Sequence, residues 1–418
     1  MEKRLLVLGG GRHQKNLICQ AEERGVRVVV SDYYPDAPGK RYASYPTNTD
    51  ALDIEANIKL AREYEVSGVI TIGTDMAVVT MAEVADAFGL PCYLTPQSAR
   101  LATDKLLMKR AFVEAGIPIC HYEEIARGAS DLEKVNSFRF PVVVKPSDSQ
   151  GQRGVCRVDQ PRDVVAAIVS ARRHSRTGNV IVEEFLRGYE FTVSAWVCGG
   201  ELVILAIADR VTYNPFPAIG ICFQHIFPSL RAKGLTEGIA GIVREVVHCY
   251  GVREGPLYIQ MIVRDGNIRV VEAACRVGGG HEESSIPIST GVDVRNRLID
   301  LALTGRSTPI DYEFDEDDVE HHVLVNFLLP RPGVTREGRG FHQLVRSGMI
   351  EEGEFYFLPG YTCPEVTDGV GRVGYFIVKA KTRDGLLRLA RSAYSRLELV
   401  GSNGMNLLFW PQSRYVNG

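Results

Sequence analysis

The chain has 418 residues, and at roughly 100 to 200 residues per domain this length predicts roughly two to four domains. Its 48 Lys and Arg residues against 51 Asp and Glu residues give a formal net charge of −3, with 45% hydrophobic and 24% charged residues. This composition is typical of a globular protein and disfavours a disordered chain, a collagen and a basic polyanion-binding protein. No stretch approaches the ~20 apolar residues of a membrane span, and the apolar run at residues 5–8 is too short for a signal peptide. We therefore expect a cytoplasmic protein with neither a nucleic-acid nor a membrane partner.

The cysteines and histidines form no local metal or disulfide motif. The nine cysteines are scattered without a Cys-x-x-Cys pair, and the nine histidines include no His-x-x-x-His pair. Such spacing is typical of reduced, mostly buried thiols, and it does not favour a structural transition-metal site.

The first 95 residues alternate between strand and helix patterns. The first segment is an apolar run at residues 4–11 that ends in three glycines. Strands are then predicted at residues 26–31, 69–72 and 91–94, and helices at residues 17–24, 54–64 and 77–88. This alternation predicts a parallel α/β sheet. Residues 9–11 are three glycines, and Asp32 lies where a ribose-binding acid is expected, but the third glycine of a dinucleotide fingerprint is absent. The three glycines either contact a ligand or allow the chain to turn sharply. Asp75, at another strand end, either contacts a ligand or caps a helix.

The pattern of residues changes after residue 95, where the regular alternation of strands and helices ends. Residues 99–115 are predicted as one helix containing Asp104 and Lys105, and residues 140–146 as a strand that carries Lys145 near its end. The polar, glycine-containing loop 147–155 follows this strand. A strand-end lysine and a flexible loop can wrap phosphates with an ammonium group and backbone N–H groups.

Two further segments carry acidic residues among apolar ones. In Glu183-Glu184-Phe185-Leu186 the two acids are costly to bury unpaired, so we expect them to have partners. Strands at 256–264 and 268–274 flank Asp265-Gly266-Asn267 and predict a β-hairpin. Beyond a helix at 294–303 and an acidic connector at 311–320, the remaining sequence predicts a β-rich region with a helix at 386–397.

Taken in order, these segments resemble the ATP-grasp superfamily, and within it the group of phosphoribosylglycinamide synthetase, biotin carboxylase and carbamoyl phosphate synthetase. The resemblance implies an α/β protein with α+β character in its lid and C-terminal parts. It implies a parallel α/β domain at 1–95, an ATP-grasp domain at 96–310 with a lid at about 118–185, and a C-terminal β-rich domain at 311–418.

The resemblance also implies an ATP site. Lysines would contact the phosphates, the glycine loop would cover them, and the Glu-Glu-Phe-Leu segment would clamp adenine, with an acid on the ribose. The alternative for these polar residues is a solvated surface role. The residues assigned to ATP are Lys105, Lys145, Gln150, Gly151, Arg153, Glu183, Glu184, Phe185, Leu186 and Glu190.

The metal site departs from the family pattern. Glu272 matches one of two usual carboxylates, but Gln260 occupies the position of the other and Ala274 replaces an Asn. The resemblance implies Mg²⁺, with Mn²⁺ as an alternative, held by Glu272 and Gln260. A three-residue hairpin loop would put these two side chains on one face, whereas a two-residue turn would put them on opposite faces.

The implied activity is an ATP-dependent, ADP-forming ligation of a small-molecule carboxylate to an amine, or to another nucleophile such as a thiol, through an acyl phosphate. Arg276 and Lys145 are the implied catalytic residues, and an ion pair with Glu272 is the structural alternative for Arg276. The alternative functions are a catalytically impaired nucleotide-binding protein, favoured by Gln260 and Ala274, and a nicotinamide-dependent dehydrogenase. A homodimer is a reasonable expectation. Candidate acceptor-site residues are Asp209, Arg210, His225, His281 and Glu283.

Overall fold

The first part of the molecule is a parallel sheet covered by helices. The computed structural model describes residues 2–128, 132–135, 137–357 and 359–417. Parallel strands are covered on both faces and therefore read as apolar runs, as at the fully buried residues 5–8. The sheet order is Tyr45–Thr47, Arg27–Ser31, Arg4–Leu8 and Gly68–Ile70. Its helices are Arg12–Glu23, Ile54–Glu63 and Met76–Phe88, with the 3₁₀ turn Pro38–Tyr42.

This part confirms the α/β prediction and corrects one of its strands. Residues 91–94 form no strand. They run instead as a connector, in which the buried Tyr93 donates its hydroxyl to the carbonyl of Cys275 at 3.2 Å. The turn 9–11 and Asp32 serve the local fold, because the Asp32 carboxylate accepts from the backbone N–H of Gly10 at 2.7 Å and of Tyr34 at 2.9 Å.

The predicted helix 99–115 is two helices, Pro96–Thr103 and Lys105–Glu114. Asp104 breaks it, because its backbone is extended and its carboxylate accepts from the N–H groups of Leu106 and Leu107. This is the geometry of an N-cap, which competes with continued helix at Asp. The break sets Lys105 at the start of the second helix.

A small antiparallel sheet lies in the region predicted as the lid. Its strand order is Tyr122–Ile125, Val180–Glu184, Val142–Pro146 and Cys156–Val158. Val142, Val144, Val180 and Val182 form its buried centre under the helix Val164–Arg172. The short helix Leu132–Val135 and the 3₁₀ turn Pro161–Asp163 complete the lid. The loop 147–155 therefore joins two neighbouring strands, as the sequence predicts.

A large antiparallel sheet joins the rest of the molecule. The predicted boundary at residue 310 stays a prediction, since this sheet runs without a break from Ile221–Phe227 to His322–Pro330. The sheet order is Asn267–Ala274, Gly255–Arg264, Tyr189–Cys198, Glu201–Tyr213, Ile221–Phe227, His322–Pro330, Gly374–Ala380 and Glu352–Phe355, with Val416–Asn417 and Leu408–Phe409 added at its side.

The remaining elements pack around this sheet. A three-stranded sheet has the order Thr362–Cys363, Gly333–Arg339 and Glu398–Gly401. The helices are Thr236–Tyr250, Glu282–Thr290, Val294–Thr304, Phe341–Arg346 and Arg383–Tyr394, with 3₁₀ turns at Gly369–Gly371 and Ser413–Tyr415. Across the ranges that the structure describes, no helix qualifies as a membrane span.

The hairpin Gly255–Arg264 and Asn267–Ala274 carries the predicted metal residues. Its connection is the two-residue turn Asp265-Gly266, both with positive φ. A regular ladder from this turn would pair Gln260 with Val271 and would separate Gln260 from Glu272. A β-bulge at Val271 shifts the register by one residue, so that Gln260 pairs with Glu272 after all. The two alternatives drawn from loop length were therefore incomplete, because neither included a bulge.

Candidate active site

A central cleft of about 930 Å³ lies where the three parts of the molecule meet. The N-terminal α/β part contributes His13, Gly73 and Asp75, and the C-terminal region contributes Val370 and Arg372. Every residue assigned to ATP, metal or catalysis from the sequence lines this cleft. These residues are Lys105, Lys145, Gln150, Gly151, Arg153, Glu183, Glu184, Phe185, Leu186, Glu190, Gln260, Glu272 and Arg276.

Glu183 lies at the centre of a buried group of charges. Its carboxylate is 2.7 Å from Nζ of Lys145 and 2.8 Å from Nζ of Lys109. Burial would raise the pKa of Glu183, but the two ammonium groups outweigh burial and lower it to about 2. Burial lowers the pKa of Lys145, with Glu183 opposing this and Lys109 adding to it.

The two acids of the Glu-Glu-Phe-Leu segment have different environments. The expected partners exist for Glu183, whereas Glu184 is exposed. Lys109 is fully buried and was missed in the sequence. Its position four residues after Lys105 in one helix, and so on the same face, was the available signal.

Lys105 is the second cation of the cleft. Its Nζ lies 3.1 Å from the carboxylate of Glu272 and donates to the carbonyl of Ser149 at 2.8 Å. Burial disfavours the charged form of Lys105, but the carboxylates of Glu272 and Asp75 together have the larger effect and raise the pKa of Lys105. Burial also disfavours the charged form of Glu272, but the ammonium groups of Lys105 and Lys145 together have the larger effect and lower the pKa of Glu272. The cleft thus holds two ammonium groups, at Lys105 and Lys145, each against a carboxylate.

The other end of the cleft has a mixed apolar and polar wall. The guanidinium of Arg157 lies over the ring of Phe185 at 4.7 Å. The backbone N–H of Glu184 donates to the carbonyl of His121 at 3.0 Å and is therefore occupied. The backbone group that Glu184 can offer to a ligand is its carbonyl. Glu190 accepts from Arg210 at 2.5 Å and from the amide Nε2 of Gln260 at 2.8 Å.

The glycine loop closes over the cleft and touches both flanking parts of the molecule. The carbonyl of Gly151 accepts from the backbone N–H of Gly369 at 2.8 Å. The Gln150 amide is oriented so that its oxygen accepts from the N–H groups of Met76 and Asp75, at 2.8 and 3.3 Å. The backbone N–H and Nε of Arg153 donate to the carbonyl of Gln150. Gln150 therefore lies against the start of the helix Met76–Phe88.

Arg276 is buried and paired with Asp75 of the parallel sheet. Its Nε is 2.5 Å from the Asp75 carboxylate, and its guanidinium lies 5.0 Å from the ring centre of Tyr258. Burial disfavours the charged form of Arg276, but the Asp75 carboxylate has the larger effect and raises the pKa of Arg276. Its carboxylate partner is thus Asp75, rather than the Glu272 considered from the sequence. Asp75 precedes a helix but makes no side-chain cap hydrogen bond there.

The five candidate acceptor residues separate into three groups. Arg210 and His225 line the cleft. Burial would lower the pKa of His225, but Cys222 and Glu282 outweigh burial and raise it to about 10. Asp209 is not brought to the cleft, because its carboxylate is held by Ser229 and Arg383 and by backbone N–H groups. His281 and Glu283 are buried behind the wall of the cleft.

The hairpin residues fit a magnesium ion. Gln260 uses its amide nitrogen on Glu190, which leaves the amide oxygen as the donor it can offer to a cation. Glu272 is paired across the strands with Gln260, and its carboxylate is 30% exposed toward the same cleft. Mg²⁺ takes oxygen ligands, commonly one or two carboxylates with water and phosphate oxygens. Gln260 and Glu272 supply such a set, with one fewer negative charge than two carboxylates.

Two family models match the chain. The model of the ATP-grasp domain matches residues 138–284, and that of the L-amino acid ligase C-terminal domain 2 matches residues 326–400. Among curated proteins, the trifunctional purine biosynthetic protein adenosine-3 of Drosophila melanogaster is 25% identical over 319 residues, covering 69% of this chain and 23% of that protein. The formate-dependent phosphoribosylglycinamide formyltransferase of Rhodococcus jostii is 32% identical over 201 residues, covering 45% and 48%. The chain spans about a quarter to a half of the length of these two relatives.

Solved structures share the whole fold at low identity. The L-amino acid ligase from Bacillus licheniformis superposes with a TM-score of 0.79 at 17% identity, covering 98% of this chain and 99% of the other. The phosphoribosylglycinamide synthetase from Anaerococcus prevotii has a TM-score of 0.75 at 20% identity, covering 96% and 100%. At this identity the likeness shows the fold, including its N-terminal sheet and C-terminal part.

Proposed function

We propose an activity from one premise: the chain contains an ATP-grasp domain, matched at residues 138–284. The activity is an ATP-dependent, ADP-forming ligation of a small-molecule carboxylate to an amine or another nucleophile. The observation that carries it is the central cleft, in which Lys105, Lys145, Glu272 and Arg276 come together from separate segments. Phosphoryl transfer needs positioned cations more than a protein nucleophile, and this set supplies them.

The proposed reaction has two steps. A carboxylate oxygen of the substrate attacks the γ-phosphorus of ATP, ADP leaves, and an acyl phosphate forms. The nucleophile then attacks the acyl carbon, phosphate leaves, and an amine gives up one proton. Mg²⁺ held by Glu272 and Gln260 would neutralise negative charge on the phosphates.

The residues of the chain have separate tasks in this proposal. Lys105 and Lys145 bind phosphate oxygens, and Glu183 holds Lys145 in place. Arg276 and the protonated His225 attract the substrate carboxylate, and they stabilise the oxyanion that forms when the nucleophile attacks the acyl phosphate. The loop 147–155 excludes water, which would otherwise hydrolyse the acyl phosphate.

The adenosine of ATP is proposed to bind at the wall of the cleft opposite the phosphate-binding lysines. Phe185 packs on the adenine ring, while the carbonyl of Glu184 and the backbone of Leu186 bind its edge. Glu190 accepts from the ribose, and its bonds to Arg210 and Gln260 hold its carboxylate in position. These positions are supported by their shared cleft and by the half-buried ring of Phe185 in its wall.

The relatives suggest where to look for substrates. One matched domain is named for L-amino acid ligases, and the fold of such a ligase covers the chain. We therefore include amino acids among the candidate carboxylates and amines. We also propose a homodimer, and a cytoplasmic location supported by nine cysteines that form no disulfide in the structure.

The deciding experiment measures ADP release from MgATP across a grid of small carboxylates crossed with amines and amino acids. Lys145→Ala removes a proposed phosphate contact and should abolish the substrate-dependent signal. Lys233→Ala is the matched control, because Lys233 is exposed and pairs with Asp317 on the surface. It should leave the rate unchanged.

The outcomes separate the alternatives. A substrate-dependent signal in the natural chain and in Lys233→Ala, but not in Lys145→Ala, supports the ligase. ATP binding without ADP release across the grid would favour the catalytically impaired alternative. Equal turnover in Lys145→Ala would contradict the role of Lys145.

A further inference from the structure

Two histidines and a carboxylate meet behind the cleft, outside the residues proposed for ATP and magnesium. Nδ1 of His13 lies 3.3 Å from Oε1 of Glu283, and Nδ1 of His281 lies 3.2 Å from the same oxygen. The rings of His13 and His281 are 4.6 Å apart. His13 comes from the first helix, whereas His281 and Glu283 follow the hairpin, so the cluster forms only in the folded chain.

The two separations from Oε1 of Glu283 match the ligand–ligand distances in a tetrahedral metal site. A zinc ion with metal–ligand distances of about 2.0–2.1 Å has ligand atoms about 3.3 Å apart. Charge-assisted hydrogen bonds between nitrogen and oxygen are shorter, at about 2.7–2.9 Å. The two contacts of Glu283 thus lie closer to the edges of a metal tetrahedron than to strong hydrogen bonds.

The partners of the cluster orient it for coordination. Nε2 of His281 is 2.8 Å from the hydroxyl of Tyr356, an outer partner that can leave Nδ1 as the metal-binding atom. Tyr375 stacks on the His281 ring at 3.4 Å, which fixes the plane of the ring. Gly73 makes room for His13, since a Cβ at Gly73 would lie 2.8 Å from the Cβ of His13.

Two features of the cluster are costly without a ligand. Glu283 is fully buried, and its Oε2 has no hydrogen-bond partner among the described residues. His281 has a φ of +63°, which is strained for a residue other than glycine. An ion bound to Glu283 would offset the burial of this carboxylate.

We propose that His13, His281 and Glu283 bind a divalent transition-metal ion of the zinc class. The site is separate from the magnesium residues Gln260 and Glu272. His13 lines the central cleft and its side chain is 26% exposed, so the fourth coordination position faces the cleft. This position takes water or a nitrogen or oxygen donor of a ligand there. Two histidines, one carboxylate and an open position are a common set for such ions.

The test titrates the chelator-treated full chain with Co²⁺, which reports tetrahedral coordination by visible absorption, and then displaces it with Zn²⁺. The readout needs neither ATP nor turnover. We expect one equivalent of Co²⁺ to bind and Zn²⁺ to displace it. His13→Gln and Glu283→Gln should lose the absorption, and Tyr356→Phe should weaken binding by about 10- to 100-fold.

The variants are chosen so that misfolding does not imitate the result. His13 is partly exposed, so His13→Gln should fold, which circular dichroism checks. Glu272→Gln removes a proposed magnesium ligand and should keep the Co²⁺ absorption. The proposal is overturned if neither Co²⁺ nor Zn²⁺ binds the natural chain at millimolar concentration. It is equally overturned if binding survives in His13→Gln, or if Glu272→Gln alone removes it.

Discussion

Glu183 shows how one carboxylate beside the cleft compensates two buried ammonium groups. Its carboxylate is shared by Lys109 and Lys145, and Lys109 is fully buried. Removing one member of such a group leaves a buried charge without compensation, which is typically destabilising by 3–5 kcal/mol. The sequence indicated that Glu183 needs a partner but could not identify Lys109, because that contact spans 74 residues along the chain.

At the residue scale, Glu183→Gln should lower the free energy of unfolding by about 3–5 kcal/mol at pH 7. The pKa of Glu183 falls from an ordinary 4.5 to about 2 in the folded chain. A carboxylate with a lowered folded pKa stabilises the fold above pH 4.5, and this stabilisation is lost as the pH falls toward 2. Urea unfolding should therefore show the difference between the two chains narrowing across that interval.

Glu124→Gln is the control for this prediction. Glu124 pairs with Arg110 at the surface, so the change should alter the unfolding free energy by less than about 1 kcal/mol. A difference between Glu183→Gln and the natural chain that stays constant from pH 7 to 2 would contradict the assignment.

Elements were predictable where one periodic pattern dominated. The helix Met76–Phe88 and both strands of the hairpin lie within one or two residues of their predicted bounds. The bulge at Val271 was not predictable, because regular and bulged pairing are compatible with the same local sequence pattern. The division of residues 99–115 into two helices was signalled by Asp104, a preferred N-cap residue, although the apolar pattern runs through it.

At the element scale, two glycines with similar backbones separate lid function from stability. Gly151 has φ +64° and Gly266 has φ +75°, and a Cβ at either one would meet no atom closer than 3.9 Å. An alanine at each therefore adds mainly backbone strain, of about 1 kcal/mol. Gly151→Ala should weaken ATP binding about fivefold by disfavouring the closed loop.

Gly266→Ala serves as the matched control in the hairpin turn. It should reduce the free energy of unfolding by about 1 kcal/mol and leave ATP affinity unchanged. Calorimetric ATP titration of both variants checks the pair, and equal affinities would show that loop 147–155 does not cover the nucleotide.

The whole molecule is held together partly by charges that cross between its parts. Arg276 pairs with Asp75 and is buried, whereas Arg24 pairs with Asp300 nearer the surface. Both ion pairs join the parallel sheet region to the rest of the chain. The order of the parts was predictable from motif order, but the continuous sheet across residue 310 was not, since strand pairing at long range leaves no local pattern.

At the scale of the molecule, Asp75→Asn should lower the free energy of unfolding by about 3 kcal/mol, because Arg276 keeps its charge in a buried place. Asp300→Asn removes the exposed pair and should change it by less than about 1 kcal/mol. Urea unfolding of both variants measures the contrast. Similar decreases in the free energy of unfolding of the two variants would mean that the burial of Arg276 does not determine how strongly this ion pair stabilises the N-terminal sheet against the rest of the chain.

The contacts of loop 147–155 also bear on the timing of a catalytic cycle. The loop is held by hydrogen bonds from Gly369 to Gly151 and from residues 75 and 76 to Gln150, and by the bond from Lys105 to Ser149. Each such bond contributes only about 1 kcal/mol net, so opening the loop costs little free energy. Lys105 and Lys145 lie outside this loop, on a helix and at a strand end. A nucleotide would thus enter a cleft in which Glu183 already holds Lys145, whereas Lys105 would lose its bond to Ser149 whenever the loop opens.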